Sequence, residues 1–143
     1  MNLMQSSHNL DKKKRLIIPS SLRDILSGDT LIIHADTKYN FYLQSLEIYE
    51  KKYQEYKEYL KRKLEREKIL YEEYNRVLNM YDIHTIEKVD KDSNYRIVIP
   101  DYVVKKYDID NSVFLCSTHE HVKVFKNEET YEQYKYEYNF RTF

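Results

Sequence analysis

The residues of this chain best suited to chemistry are cations held in a recurring frame. In D-K-K-K-R-L-I-I-P, Asp11 to Pro19, an aspartate is followed by Lys12, Lys13, Lys14 and Arg15, then by three aliphatics and a proline. Lysine ammonium groups are flexible point charges suited to a phosphate backbone. Arginine is planar and can grip a phosphate, or the O6/N7 edge of guanine, with two parallel hydrogen bonds. Asp11 has the wrong sign for phosphate. Four residues before Arg15, it can orient the arginine or cap a turn.

Other groupings carry less chemistry. His119 and His121 flank Glu120, and a strand would place both imidazoles on one face. A metal needs further ligands, and no spacing announces them. Cys116 lies in V-F-L-C and reads as a buried, inert thiol. No Ser-His-Asp grouping or paired carboxylates sit in a catalytic frame, so no enzyme activity and no cofactor are expected. With one glycine in 143 residues, neither phosphate-cradling glycine loop can be written.

The cationic frame has a twin. D-S-N-Y-R-I-V-I-P, Asp92 to Pro100, repeats the aspartate, the arginine at Arg96, the aliphatics and the proline with a shift of 81 residues. After each proline comes a short helical segment, S-S-L-R-D-I-L or D-Y-V-V-K-K-Y, then two apolar runs. One extra residue near Asp108 moves the later shift to 82. Each copy therefore predicts strand, short helix, hairpin and helix, with proline closing the first strand. Ser20, Ser21 and Asp101 are the expected N-caps. The hairpins are expected to turn at A-D-T-K-Y-N and at S-T-H-E-H.

Residues 46–81 contain neither Pro nor Gly, and Tyr53, Tyr56, Leu60, Leu64, Leu70, Tyr74, Leu78 and Tyr81 recur at helical spacing. This predicts one amphipathic helix, or two with a break of unspecified place, serving packing and oligomer contacts or, as the alternative, facing nucleic acid with its net charge of +2. A further helix is expected at 128–139. The 16 tyrosines read as amphipathic packing favoured by A/T-rich codon usage.

Length allows one domain or two small units sharing a core. The net charge is zero, but it is unevenly spread: +1 over 1–48 (six cations, five anions), +2 over 49–81 (nine, seven) and −3 over 82–143 (nine, twelve). Four of the first six cations are adjacent, and local charge is what a phosphate feels. No apolar run is long enough for a membrane helix. M-N-L-M-Q-S-S-H lacks the features of a secretory signal, and a lone cysteine points to the cytosol.

The loop, strand, proline and short helix together resemble the AbrB/SpoVT swapped-hairpin DNA-binding unit. Two such copies in register resemble the MraZ family of bacterial transcriptional regulators of division and cell-wall gene clusters. H-N-L-D-K-K-K-R-L-I-I-P-S-S-L-R is similar to that family's H-x-L-D-x-K-G-R-L-x-I-P-x-x-L-R. The chain departs where the family has glycine before the arginine: here stand Lys14 and Tyr95. If the position needs φ > 0, both residues are costly there and the loop is expected to turn differently. The helical region is also more charged and richer in tyrosine, which marks a divergent member.

The resemblance implies an α+β fold: a pseudo-twofold, double swapped-hairpin AbrB-like β-barrel with flanking and connecting amphipathic helices. It divides the chain into a first unit at 1–48, a connecting helical region at 49–81, and a second unit with a C-terminal helix at 82–143. It also implies DNA contact by Lys12, Lys13, Lys14, Arg15 and Arg96, with His8, Arg23, Lys91 and Asn94 at the loop margins and Asp11 and Asp92 orienting the loops. Its expected partners are double-stranded DNA bearing promoter direct repeats and further copies of the chain in a ring-like homo-oligomer, in the cytoplasm at the nucleoid. One rival is an AbrB-like antitoxin or global regulator, against which the aromatic C-terminus Y-N-F-R-T-F counts. The other is a structural oligomerisation protein whose Asp–Arg pairs are turn pairs and whose lysines merely solvate a loop.

Overall fold

The structure, a computed structural model, describes residues 4–139, and for residues 80–86 and 139 the backbone alone. The first three residues, the Tyr81 side chain and the C-terminal stretch beyond Asn139 lie outside the described residues.

The elements follow the repeat. The first copy gives β1 (Gln5–Asn9), β2 (Arg15–Ile17), a 3-10 turn (Ser20–Leu22), β3 (Thr30–Thr37), β4 (Asn40–Ser45) and α1 (Leu46–Glu65). After α2 (Tyr71–His84), the second gives β5 (Thr85–Asp90), β6 (Arg96–Val98), α3 (Asp101–Lys106), β7 (Ser112–Ser117), β8 (His121–Phe125) and α4 (Glu128–Asn139). The fold is α+β with antiparallel sheets. Six strands run in the order β1-β7-β8-β4-β3-β5, while β2 and β6 form a separate two-stranded ribbon.

The expected barrel is not closed. β1 and β5 stand at the two ends of the sheet order, and the ribbon strands, three residues each, pair only with one another. A proline follows closely on each ribbon strand, and a residue without an N–H cannot extend a ladder.

Strand pairing crosses between the copies. β1 pairs with β7 and β5 with β3, so each copy's first strand adds to the other copy's hairpin. In the ribbon Arg15 faces Val98, Leu16 faces Ile97 and Ile17 faces Arg96, a register unchanged when the two copies are exchanged. The flanking bonds obey the same exchange: Ile18 N–H donates to the Tyr95 carbonyl (2.8 Å) and Ile99 N–H to that of Lys14 (3.0 Å).

Alternation along the strands decides what each face covers. Leu16 and Ile97 point from the ribbon into a core shared with Leu31, Ile33, Phe41, Leu43, Val113, Leu115, Val122 and Val124 of the sheet. On the opposite face Phe114, Cys116 and Phe125 pack with Tyr131 of α4, which buries the thiol as expected. Full burial of one such aliphatic or aromatic side chain contributes about 1.5–3 kcal/mol.

The prolines also displace the expected caps. Pro19 and Pro100 occupy the cap positions, with φ near −57° and −58° and ψ of 144° and 147°. Their carbonyls accept the first turn's N–H groups, from Leu22 at 2.9 Å and Val103 at 3.0 Å. Ser20, Ser21 and Asp101 therefore fall inside the turns, and no side chain makes a cap hydrogen bond there. Proline is preset to the extended conformation a cap requires, and the serines lose the place to it.

The long helical region breaks between α1 and α2, with Glu67 in the left-handed region (φ 56°). Of the predicted stripe, Leu60 is buried and Leu70 is 73% exposed. The hairpin turns are tighter than the polar runs suggested, Lys38–Tyr39 and Thr118–Glu120.

Candidate nucleic-acid interface

Asp11 organises the first loop with one carboxylate. Oδ1 accepts the N–H groups of Lys13 and Arg15, each at 2.9 Å. Oδ2 accepts Arg15 Nε–H at 2.5 Å. The backbone closes the turn, with Lys14 N–H on the Asp11 carbonyl (3.0 Å) and Asp11 N–H on that of Arg15 (3.2 Å). The second loop repeats every one of these bonds. Asp92 Oδ1 accepts from Asn94 (2.8 Å) and Arg96 (2.9 Å), and Oδ2 accepts Arg96 Nε–H at 2.7 Å. In both loops the arginine N–H, followed by its guanidinium, holds the carboxyl below the usual carboxylate range.

The position before each arginine does have positive φ: 59° at Lys14 and 59° at Tyr95. Both residues adopt the left-handed backbone that favours glycine, and both copies make the same turn. A left-handed non-glycine residue costs roughly 1–2 kcal/mol. The bonds to the aspartate and across the ribbon outweigh it.

Asp11 and Asp92 thus each hold the Nε–H of their loop's arginine. Each bond uses Nε and takes no part of the Nη groups, which remain as a fork of donors. Arg15 and Arg96 lie on the outward face of the ribbon, opposite Val98 and Ile17, which are 52% and 56% exposed. Two guanidiniums with two exposed aliphatics can meet phosphates, base edges and thymine methyl groups. Ile17 and Val98 were not singled out from sequence, although their alternation with buried Leu16 and Ile97 is the signal that finds them.

The remaining sequence candidates divide. Lys12, Lys13 and Asn94 are exposed. Lys14 turns back, its Nζ donating to the Asp110 carbonyl at 2.5 Å. Lys91 does likewise onto the Leu26 carbonyl, and burial lowers its pKa. His8 is half-buried in β1, with Nε2 2.7 Å from Ser6 Oγ, and burial lowers its pKa. Arg23 lies over the ring of Tyr95, 3.9 Å from its centroid. The two loops sit at opposite ends of the ribbon, because β2 and β6 run antiparallel.

The histidine pair separates: His119 is in the turn, while His121 opens β8 with its ring 4.4 Å from that of Tyr42. Among the described residues no three His, Cys, Asp or Glu side chains are grouped to hold a metal, and no helix is long and apolar enough to cross a membrane.

No curated protein matches the chain. A family model does, that of "MraZ protein, putative antitoxin-like", over residues 1–73 of the 143. That span covers the first loop, β1 to β4 and α1, and is just over half the chain; the protein belongs to the MraZ family and has that family's regulator-type role.

Proposed function

We propose that the protein is a sequence-specific DNA-binding transcriptional regulator that contacts duplex DNA through the Asp11–Arg15 and Asp92–Arg96 loops. The observation that carries this reading is the duplicate loop: two carboxylates holding two arginines in the same bonding pattern on an exposed ribbon. Lys12 and Lys13 hold phosphates; Arg15 and Arg96 read base edges or clamp phosphates. The family membership and the exchange of first strands support two swapped-hairpin units, at 1–48 and 82–143, joined by the helical region at 49–81.

A single loop touches few base pairs, so useful affinity requires several chains. Half-exposed tyrosines along α1 and α2 supply apolar surface for such assembly. The protein then works as a homo-oligomer larger than a dimer, ring-like by family resemblance, on short direct repeats in promoters at the nucleoid. Engaging successive repeats raises avidity by factors on the order of 10²–10⁴.

Selection of bound sequences from random duplexes tests this. Enrichment of one short repeated sequence, with affinity that falls steeply as salt rises, is the expected result. Binding without sequence enrichment rejects the sequence-specific reading, and no binding at all favours a structural oligomer. The antitoxin-like description of the family supports a second reading, in which the same loops bind DNA and the chain also holds a toxin. A stoichiometric protein partner co-purifying from the native host distinguishes it.

A further inference from the structure

By sequence the second loop is poor in cations: D-S-N-Y-R carries one, against four in D-K-K-K-R. The fold alters that count. Arg23 belongs to the first copy, directly after its 3-10 turn, yet its guanidinium carbon lies 3.9 Å from the centroid of Tyr95 in the second loop. Its position is fixed twice. Arg23 Nε–H donates to the Ile18 carbonyl at 3.3 Å, and Ile18 N–H donates to the Tyr95 carbonyl at 2.8 Å. The Arg23 guanidinium and the Tyr95 backbone are therefore tied to the same residue, Ile18. The charge of Arg23 also helps, after burial, to lower the pKa of Lys91, which puts it beside the base of that loop.

Tyr95 remains 46% exposed beneath this contact. A guanidinium on a ring face is held through the π cloud, which leaves its in-plane N–H donors open to an anion. The first loop is built otherwise. Where the second has Tyr95 it has Lys14, whose ammonium is turned back onto Asp110. The two loops share one backbone and differ in how they carry charge.

Resting on the reading of these loops as a DNA interface, we propose that Arg23, mounted on Tyr95, is a phosphate contact of the second loop. That loop grips the DNA backbone with a cation lent by the other copy, while Arg96 faces the groove. Tyr95 is a positioning residue: it accepts a strained backbone and provides the platform.

The test measures affinity for a selected duplex against salt, by fluorescence anisotropy, with thermal unfolding to check the fold. Each phosphate contact contributes about 0.9 to the slope of log affinity on log salt. Arg23→Gln is expected to lower the slope by about that amount. Arg23→Lys keeps the slope and loses part of the affinity, because the charge stays and the flat stack goes. Tyr95→Gly, which suits the backbone, weakens binding in the parent chain and causes no further loss in Arg23→Gln. An unchanged slope in Arg23→Gln, or losses from Arg23→Gln and Tyr95→Gly that multiply independently, overturns the proposal. If Arg15→Ala also leaves duplex binding intact, the underlying reading of the loops has failed; if Arg15→Ala abolishes it, only the role of Arg23 has.

Discussion

Lys14 and Tyr95 hold the same left-handed backbone, φ 59° in each, immediately before the two loop arginines. Neither side chain favours it, so the strain is sustained by the surrounding bonds. Glycine removes the Cβ penalty but adds freedom to the unfolded chain. Lys14→Gly is therefore expected to stabilise the protein by roughly 0.5–1 kcal/mol in urea denaturation. A destabilised variant would show that the Lys14 tether to Asp110 matters more than the strain.

Arg15→Ala should reduce specific DNA affinity by about 1–3 kcal/mol and leave the fold intact. Arg96→Ala should have an equal or smaller effect. Electrophoretic shifts at moderate salt, alongside circular dichroism, give both quantities. Wild-type affinity in Arg15→Ala would remove the loop from the interface.

Lys12 and Lys13 are exposed, and in the proposed interface they are the phosphate contacts. Replacing both with alanine should weaken binding to all duplexes alike and lower the salt slope by roughly 0.9 per contact. A changed sequence preference at constant slope would instead make them base readers.

Asp11 offers a test in which charge and geometry oppose each other. Asn at this position can still accept the Lys13 and Arg15 N–H groups, but its amide cannot bind Nε–H as well as a carboxylate. Asp11→Asn removes an anion, so simple electrostatics predicts tighter binding. Loss of the arginine's orientation predicts weaker specific binding with the loop still formed, and this is the expected outcome. Because the Asp11 carboxyl is held below the usual range, by the Arg15 N–H first, its contribution is complete above the ordinary carboxylate pKa. It is lost only as the pH falls through the lowered folded value. Loop amide exchange followed against pH would show it.

His121 couples stability to pH in the same direction at higher pH. Burial, and then the charge of Lys123, lower its pKa, while Asp36 and Glu120 oppose the shift. Its Nε2 is buried and has no hydrogen-bond partner among the described residues. The neutral ring suits the fold, so this stability is full above the ordinary imidazole pKa. It declines as the pH falls from there towards the depressed folded value. Thermal unfolding of His121→Phe should decline less steeply with acid than the parent. Identical pH profiles would mean that the ring is protonated without cost.

The duplicate loops, the shift of 81 residues and the two hairpins were all legible in the sequence, because local pattern dictates them. The pairing of β1 with β7 and β5 with β3 was not, since alternation shows that a strand has a buried face and says nothing of its neighbour. The same blindness explains the ribbon: Leu16 and Ile97 read as core but give no sign of facing each other. At the site, Asp11 and Arg15 could be paired from spacing alone. That Lys14 and Lys91 fold back onto distant carbonyls, and that Arg23 crosses to Tyr95, depends on contacts between copies. Proline at the caps is legible in principle from its preset φ, but serine and aspartate are the commoner capping residues and stand directly beside it.

The exchange of first strands has a consequence for how such a chain can change. Two separate identical subunits trading strands would be bound to present two identical loops, and dilution would take them apart. Here both parties to the trade lie on one polypeptide, so their union does not depend on concentration. Identity is no longer enforced either. As long as Leu16 and Ile97 keep meeting across the ribbon, one loop is free to gather lysines and the other to take a tyrosine and a borrowed arginine. A symmetric scaffold can thereby present an asymmetric face.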